Sequence, residues 1–322
     1  MAHTLQVYIL TYNRAGYLKE SIRSVLDSTY ENFTLTVVDN CSTDDTEEVV
    51  KSFSDSRLAY VKHPENIGGI NNINSAIKMS TGDYIVLFHD DDMMKPDMLK
   101  TEYEYLEAHP EAGCVSCLTT NMMPDGSCSD MKATYEGGHK LYTGRELFDA
   151  YFGEGPNTVC PSIMYRREVL MKHDLIFDPA VGPCCDIKLL FDIERFGYGV
   201  LSLNNCLMLT RRHEGQDSTM NYFPMHIKLY DYLDKDPYYG PMLREKTKWR
   251  MYQYHDYSRA LASLQVKGKG NRKELRAYEK TLRRVCGGSF KDRVVYDIAS
   301  FGAGAFPGLM KKMYYSRKKG EA

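Results

Sequence analysis

The amino terminus of this sequence lacks a basic segment leading into an apolar core and a small-residue cleavage site. No secretory leader is expected on that ground, and a cytoplasmic protein is the expectation. The nine cysteines are odd in number and scattered, which argues for reduced thiols and against a disulfide framework. Cys114-Val-Ser-Cys117 has metal-ligand spacing, but no second Cys or His pair stands at a suitable distance and the run around it is strand-like. Buried thiols are therefore expected there, not zinc. There is no internal repeat, no low-complexity tract and no lysine-bearing phosphate loop. No recognised nucleic-acid module is present, so no nucleic-acid partner is expected. Val294 to Met310 contains a single charge, Asp297, yet Gly302, Gly304, Pro307 and Gly308 interrupt it and it is short for a membrane span.

A strong net charge is also missing, but the formal value of -2 conceals an asymmetry. Met1 to Met220 carries 19 basic against 33 acidic residues, while Asn221 to Ala322 carries 22 against 10. The split predicts two functional surfaces and a boundary near residue 220, giving a 1–220 domain and a basic, Tyr-rich helical region over 221–322. Helices are expected at Met242 to Leu264 and Arg272 to Arg284. Lys311, Lys312, Arg317, Lys318 and Lys319 follow the apolar segment, the signature of an anchor on an anionic lipid surface. Peripheral contact with the inner face of the cell membrane is the expectation, and a packed helical cap the alternative.

The first hundred residues alternate short apolar runs with helical spacing. Leu5 to Leu10, Leu35 to Val38, Leu58 to Val61 and Tyr84 to Phe88 read as buried strands, and helices start near Gly16, Thr43, Gly69 and Pro96. Such alternation implies an α/β fold with a parallel sheet and helices on both faces. Ligands bind beyond the carboxyl ends of such strands, in the loops after Leu10, Val38, Val61 and Phe88. Farther on, Thr143 is placed to cap a helix from Gly144 to about Phe152, Asp186 to Phe196 reads as a helix closed by Gly197, and Cys206 to Thr210 as a strand.

The most informative of these loops is His89-Asp90-Asp91-Asp92. Three acids ending a strand crowd carboxylates whose repulsion a divalent cation would offset, and taken alone the run fits a metal site and a solvated acidic turn equally well. The others are Thr11-Tyr12-Asn13-Arg14, Asp39-Asn-Cys-Ser-Thr-Asp-Asp45 and Asn66-Ile-Gly-Gly69. In this order and spacing the four elements closely resemble the nucleotide-binding half of family 2 glycosyltransferases, over about the first 220 residues. The resemblance implies the GT-A fold, a Rossmann-like mixed sheet, and a nucleotide-diphosphate sugar donor. It makes Thr11, Tyr12, Asn13, Arg14, Asp39, Asn66, Gly69, Asp90 and Asp91 nucleotide-binding, with Asp92 the direct ligand of Mn²⁺ or Mg²⁺.

The chemistry is consistent with these roles. Asp39 at a strand end can accept a hydrogen bond from a uracil, thymine or guanine N–H, and a UDP-sugar is favoured. An oxygen-ligated cation neutralises the leaving diphosphate. The Asn66–Gly69 loop suits close backbone approach to the nucleotide and equally a plain helix entry. Two positions depart from the family: His89 stands where many members carry a further Asp, and Ile73 where an Arg is common.

By the same resemblance, Pro183-Cys-Cys-Asp186 supplies the base at a helix start that deprotonates the acceptor hydroxyl. Asp192, six positions on, is expected to face solvent or Arg195. Arg211-Arg212-His213 resembles the loop that closes over the diphosphate, with His213 completing the metal shell and Arg211 or Arg212 pairing with phosphate. The expected activity is inverting transfer to a glycan or lipid-linked acceptor in surface polysaccharide biosynthesis. One rival, a sugar nucleotidyltransferase, is disfavoured because Thr11–Arg14 lacks glycines. A non-catalytic sugar-nucleotide-binding protein is disfavoured by Asp92 and Asp186.

Overall fold

A computed structural model of the chain describes residues 3–128, 138–151, 159–213 and 222–244. The four expected strands are present as β1 (Leu5–Thr11), β2 (Phe33–Asp39), β3 (Leu58–Lys62) and β4 (Tyr84–His89). They alternate with α1 (Ala15–Leu26), α2 (Thr46–Lys51), α3 (Gly69–Met79) and α4 (Met98–Ala108). Between β4 and α4 lies the two-residue strand β5 (Met93–Met94). Then follow β6 (Ala112–Met122), β7 (His139–Tyr142), α5 (Glu146–Tyr151), β8 (Ile163–Arg166), α6 (Arg167–Lys172), α7 (Cys185–Arg195) and β9 (Gly199–Arg211). Glu146 accepts a hydrogen bond from the Thr143 N–H at 3.1 Å, closing the entry to α5. Gly197, at φ +87, ends α7 in a conformation that favours glycine.

The nine strands form one sheet in the order β3-β2-β1-β4-β8-β6-β9-β5, with β7 also on β9. The first four are mutually parallel, and β8 joins β4 antiparallel, which makes the sheet mixed. Both faces of the parallel part are covered, as the near-continuous apolar strands require. Val7, Ile9, Leu35, Val37, Val86 and Phe88 pack with Leu18, Ile22 and Val25 of α1 and Met98, Leu99 and Leu106 of α4. The alternate residues Leu10, Val38, Ile85 and Leu87 are buried too, and α3 contacts β1, β2 and β4. Cys114 and Cys117 are buried in β6, where burial raises both thiols.

The chain divides into two compact units. The second gathers the described residues of Phe148–Gly155, Ala180–Cys185 and Gly215–Ala322, so short earlier stretches join the region that sequence character separates near residue 220. It contains α8 (Tyr222–Lys235) and α9 (Tyr239–Arg244), with Phe148 stacked on Tyr239 at 5.6 Å. Among the described residues no helix is long and apolar enough to cross a membrane. The helices expected over 242–264 and 272–284 lie almost wholly outside the described residues, and the apolar-then-basic segment entirely so.

Candidate active site

Parallel register carries the candidate residues to one edge of the sheet. Thr11 is the partner of Asp39, and Leu10 the partner of His89, so three strand ends lie side by side. The loops leaving them tie to one another. Asn13, at φ +52, donates its N–H to Ser42 Oγ at 2.9 Å and accepts from the Thr43 N–H at 2.8 Å. Asp39 is fully buried: Oδ1 accepts from the Ser42 N–H at 2.8 Å and Oδ2 from the Tyr60 hydroxyl at 2.6 Å, with Lys62 Nζ at 4.0 Å. A carboxylate retains further lone pairs beyond those two bonds. Asn66 Oδ1 accepts from Asn40 Nδ2 and from the Gly68 N–H, both at 2.9 Å. A Cβ on Gly69 would meet nothing within 4 Å, so this backbone is open to close approach. Tyr12 is 43% exposed, while its chain neighbour Thr11 is buried.

The acid loop is held by residues that precede it and by residues that follow it in the chain. Asp90, Asp91 and Asp92 are each at most 6% exposed. Arg14, at the entry to α1, reaches Asp91 Oδ2 at 2.8 Å and Asp90 Oδ1 at 3.2 Å. The end of β9 arrives from the other side because β5, directly after Asp92, pairs with it: Met93 faces Leu209. That pairing lets the Arg211 N–H donate to Asp92 Oδ1 at 3.1 Å and puts His213 Nε2 2.9 Å from Asp91 Oδ2. The Arg212 guanidinium donates to Asn121 at 2.7 Å.

The crowding of the three acids shows in their protonation. Burial, then repulsion from Asp91, pushes Asp92 up to about 8. Burial raises Asp90 to about 6 against the pull of Arg14. Asp91 alone is held below the usual carboxylate range, because His89 and the His213 hydrogen bond outweigh its burial. His89, Asp91 and Asp92 each offer a ligand atom, all within 4.8 Å of one another. One imidazole with two carboxylates, left short of positive charge, is a donor set that fits Mn²⁺ or Mg²⁺. His213 stands beside this set through Asp91, and His89 stands within it.

Asp186 lies in the first turn of α7, where its Oδ1 accepts from the Ile187 N–H at 2.8 Å. Its surface is partly open, while the protein packed around it raises its carboxyl to about 6. Among the described residues no hydrogen bond or ion pair joins it to the acid loop. Asp192 does not face solvent: it is buried and paired with Lys188 at 2.5 Å. The reason is helical geometry, since residues four apart share a face, and that spacing was legible in the sequence. Sequence reasoning also passed over Tyr60 as a partner of Asp39, His89 as a donor, and Tyr17 and Glu20 on α1. Only the strand-end position of His89 gave a local signal.

A Rossmann-like mixed sheet, with an acid loop ending its fourth strand and a basic strand end set against it, defines the GT-A class of nucleotide-sugar transferases. The glycosyl transferase family 2 profile matches residues 6–174, just over half of the chain, and the chain belongs to that family; it is a glycosyltransferase. It is 25% identical over 221 residues to an uncharacterised glycosyltransferase of Haemophilus influenzae, covering 67% of this chain and 68% of that protein. It is 30% identical over 203 residues to TuaG of Bacillus subtilis, whose name assigns it to teichuronic acid biosynthesis, covering 61% and 74%. TarS of S. aureus in complex with UDP is 15% identical at a TM-score of 0.65, over 98% of this chain and 92% of that one. The mannosyltransferase PcManGT of Pyrobaculum calidifontis, in complex with GDP-Man and Mn²⁺, is 18% identical at 0.59, over 97% and 84%. At those identities the likeness to the two structures concerns the fold.

Proposed function

We propose that this chain transfers a sugar from a nucleoside-diphosphate donor, with a UDP-sugar favoured, to a hydroxyl of a glycan or lipid-linked acceptor in polysaccharide biosynthesis, with inversion at the sugar. The observation that carries the reading is the buried acid loop facing Arg14, Arg211 and His213. Asp39 accepts a base N–H, Thr11, Tyr12 and Asn13 line base and ribose, and the Asn66–Gly69 backbone borders them. His89, Asp91 and Asp92 would hold Mn²⁺ or Mg²⁺, which when bound supplies positive charge to the departing diphosphate.

Asp186 takes the proton of the acceptor hydroxyl as that oxygen forms its bond to the anomeric carbon. The bond from that carbon to the diphosphate oxygen breaks, and the diphosphate leaves with the electron pair. One displacement with no covalent enzyme intermediate inverts the centre. The relative named for teichuronic acid biosynthesis and the neighbours bound to UDP and to GDP-Man support the donor and acceptor classes. Attachment of Val294 to Lys319 to the inner membrane face is part of the proposal and rests on sequence alone.

The test is a thermal-shift series with UDP, GDP and TDP, each with and without Mn²⁺. The true ligand raises Tm in proportion to the logarithm of its saturation, and only when Mn²⁺ is present. Equal shifts without metal would reject metal dependence. No shift with any nucleotide would reject the donor site.

A further inference from the structure

A cation beside a diphosphate site is expected to face the phosphates, but the side chain of Arg211 points elsewhere. Its Nε donates to the Asp91 carbonyl at 3.0 Å, its Nη2 meets Glu20 Oε2 at 2.6 Å, and its guanidinium lies 4.9 Å from the centre of the Tyr17 ring. The Tyr17 ring is in turn 5.0 Å from that of His213. Tyr17 and Glu20 are three residues apart on α1 and so share one helix face. That face seats both residues at the end of β9, and those residues bond Asp91 and Asp92 from 119 to 122 positions away in sequence.

We infer that Tyr17 and Glu20 are positioning residues for the donor site: by seating Arg211 and His213 they hold Asp91 and Asp92 in one geometry toward a divalent cation. The inference rests on the metal-dependent reading above. Glu20 is 53% exposed in its side chain, and an ion pair so wet adds little to stability. Its placement is better explained by what it orients. Residues that orient metal ligands typically change metal affinity by about tenfold or more when removed.

The experiment measures Mn²⁺ affinity of the full chain without nucleotide, by the paramagnetic signal of free Mn²⁺, together with Tm and UDP affinity. Glu20→Gln and Tyr17→Leu should each weaken Mn²⁺ binding roughly tenfold with Tm almost unchanged. Tyr17→Phe, which keeps the ring, should bind as wild type does. Wild-type protein that binds no Mn²⁺ overturns the metal reading and this one together. Wild type that binds while both variants match it overturns the positioning role alone. A fall in Tm large enough to explain the lost affinity assigns a structural role and also overturns it. So does tighter UDP binding by Glu20→Gln, which would make Arg211 a phosphate ligand restrained by Glu20.

Discussion

The two halves of the sheet reach the same edge by different routes. In the parallel half, β3-β2-β1-β4, the candidate residues sit at strand ends and in the loops that follow, within local strand-loop-helix units. In the mixed half, β8-β6-β9-β5, Arg211 and His213 arrive through a strand that starts far away and is steered by pairing with β5 and β6. The first route builds a binding surface from short segments. The second delivers partners to charges already in place, and leaves Asp186 on a helix that no described hydrogen bond links to the acids. In the proposed reading the acid loop serves the donor and Asp186 the acceptor, and substitutions should separate the two.

The largest effect should come from Asp92→Ala. Removing one of the two carboxylates that face His89 should abolish Mn²⁺-dependent nucleotide binding and lower transfer by roughly 10³-fold, in line with the several kcal/mol of charge stabilisation a catalytic metal supplies. Tm without metal should not fall, because the loss relieves repulsion among buried acids. Titration of UDP with and without Mn²⁺ decides it: near-normal turnover would overturn the metal assignment.

A smaller effect, confined to turnover, is expected in the mixed half. Asp186→Asn should lower kcat by about 10²-fold with donor affinity little changed. In the wild type, kcat should rise with pH through about 6, as the carboxyl raised by burial becomes the base, and the variant should lose that limb. Stability carries an independent sign. A folded pKa of about 6 lies above the ordinary Asp value, so the native state keeps a proton the unfolded chain has released, and stability falls as pH rises from about 4 to about 6. Discounted for partial exposure, Asp186→Asn should be more stable than wild type by roughly 1–2 kcal/mol at pH 8 and no more stable at pH 4. Loss of donor binding in proportion to activity would instead make Asp186 a donor-positioning residue.

The same contrast explains what could be read before any coordinates. The β1–β4 strands and the helices between them follow from apolar runs and turn residues inside windows of a few residues, and the strand-end acids follow from the same windows. β5, of two residues, has no periodicity to detect. The pair Arg14–Asp91 spans 77 positions and Arg211–Asp92 spans 119, distances over which sequence pattern carries no signal about which side chains meet. The resemblance supplied Arg211 and His213 as a loop near the diphosphate. It could not supply the seat on α1, which exists only because β9 ends against that helix. The Tyr60 hydroxyl on Asp39 is an intermediate case: β3 was legible, its register beside β2 was not.

The smallest effect on activity, and a sharp test of what buried acid means here, lies at the junction of the two halves. Glu102 of α4 is fully buried, and neither of its carboxyl oxygens has a hydrogen-bond partner of ordinary geometry. Burial drives its pKa well above the usual carboxylate range, and the Cys117 thiol is the one group that pulls it back. The acid loop has the Arg14 guanidinium and the His213 imidazole set against it; no ion pair reaches Glu102 among the described residues. Glu102→Met should therefore leave kcat and Mn²⁺ affinity unchanged and raise stability by about 1–3 kcal/mol, the usual cost of an unsatisfied buried polar group. Because the native state holds a proton that the unfolded chain loses near pH 4.3, wild-type stability falls as pH rises above that value. The Tm advantage of the Met variant should consequently widen from pH 4 to pH 8. A variant less stable than wild type at pH 8 would show that Glu102 has a compensating partner, and a variant with weakened Mn²⁺ binding would extend the donor site across the junction.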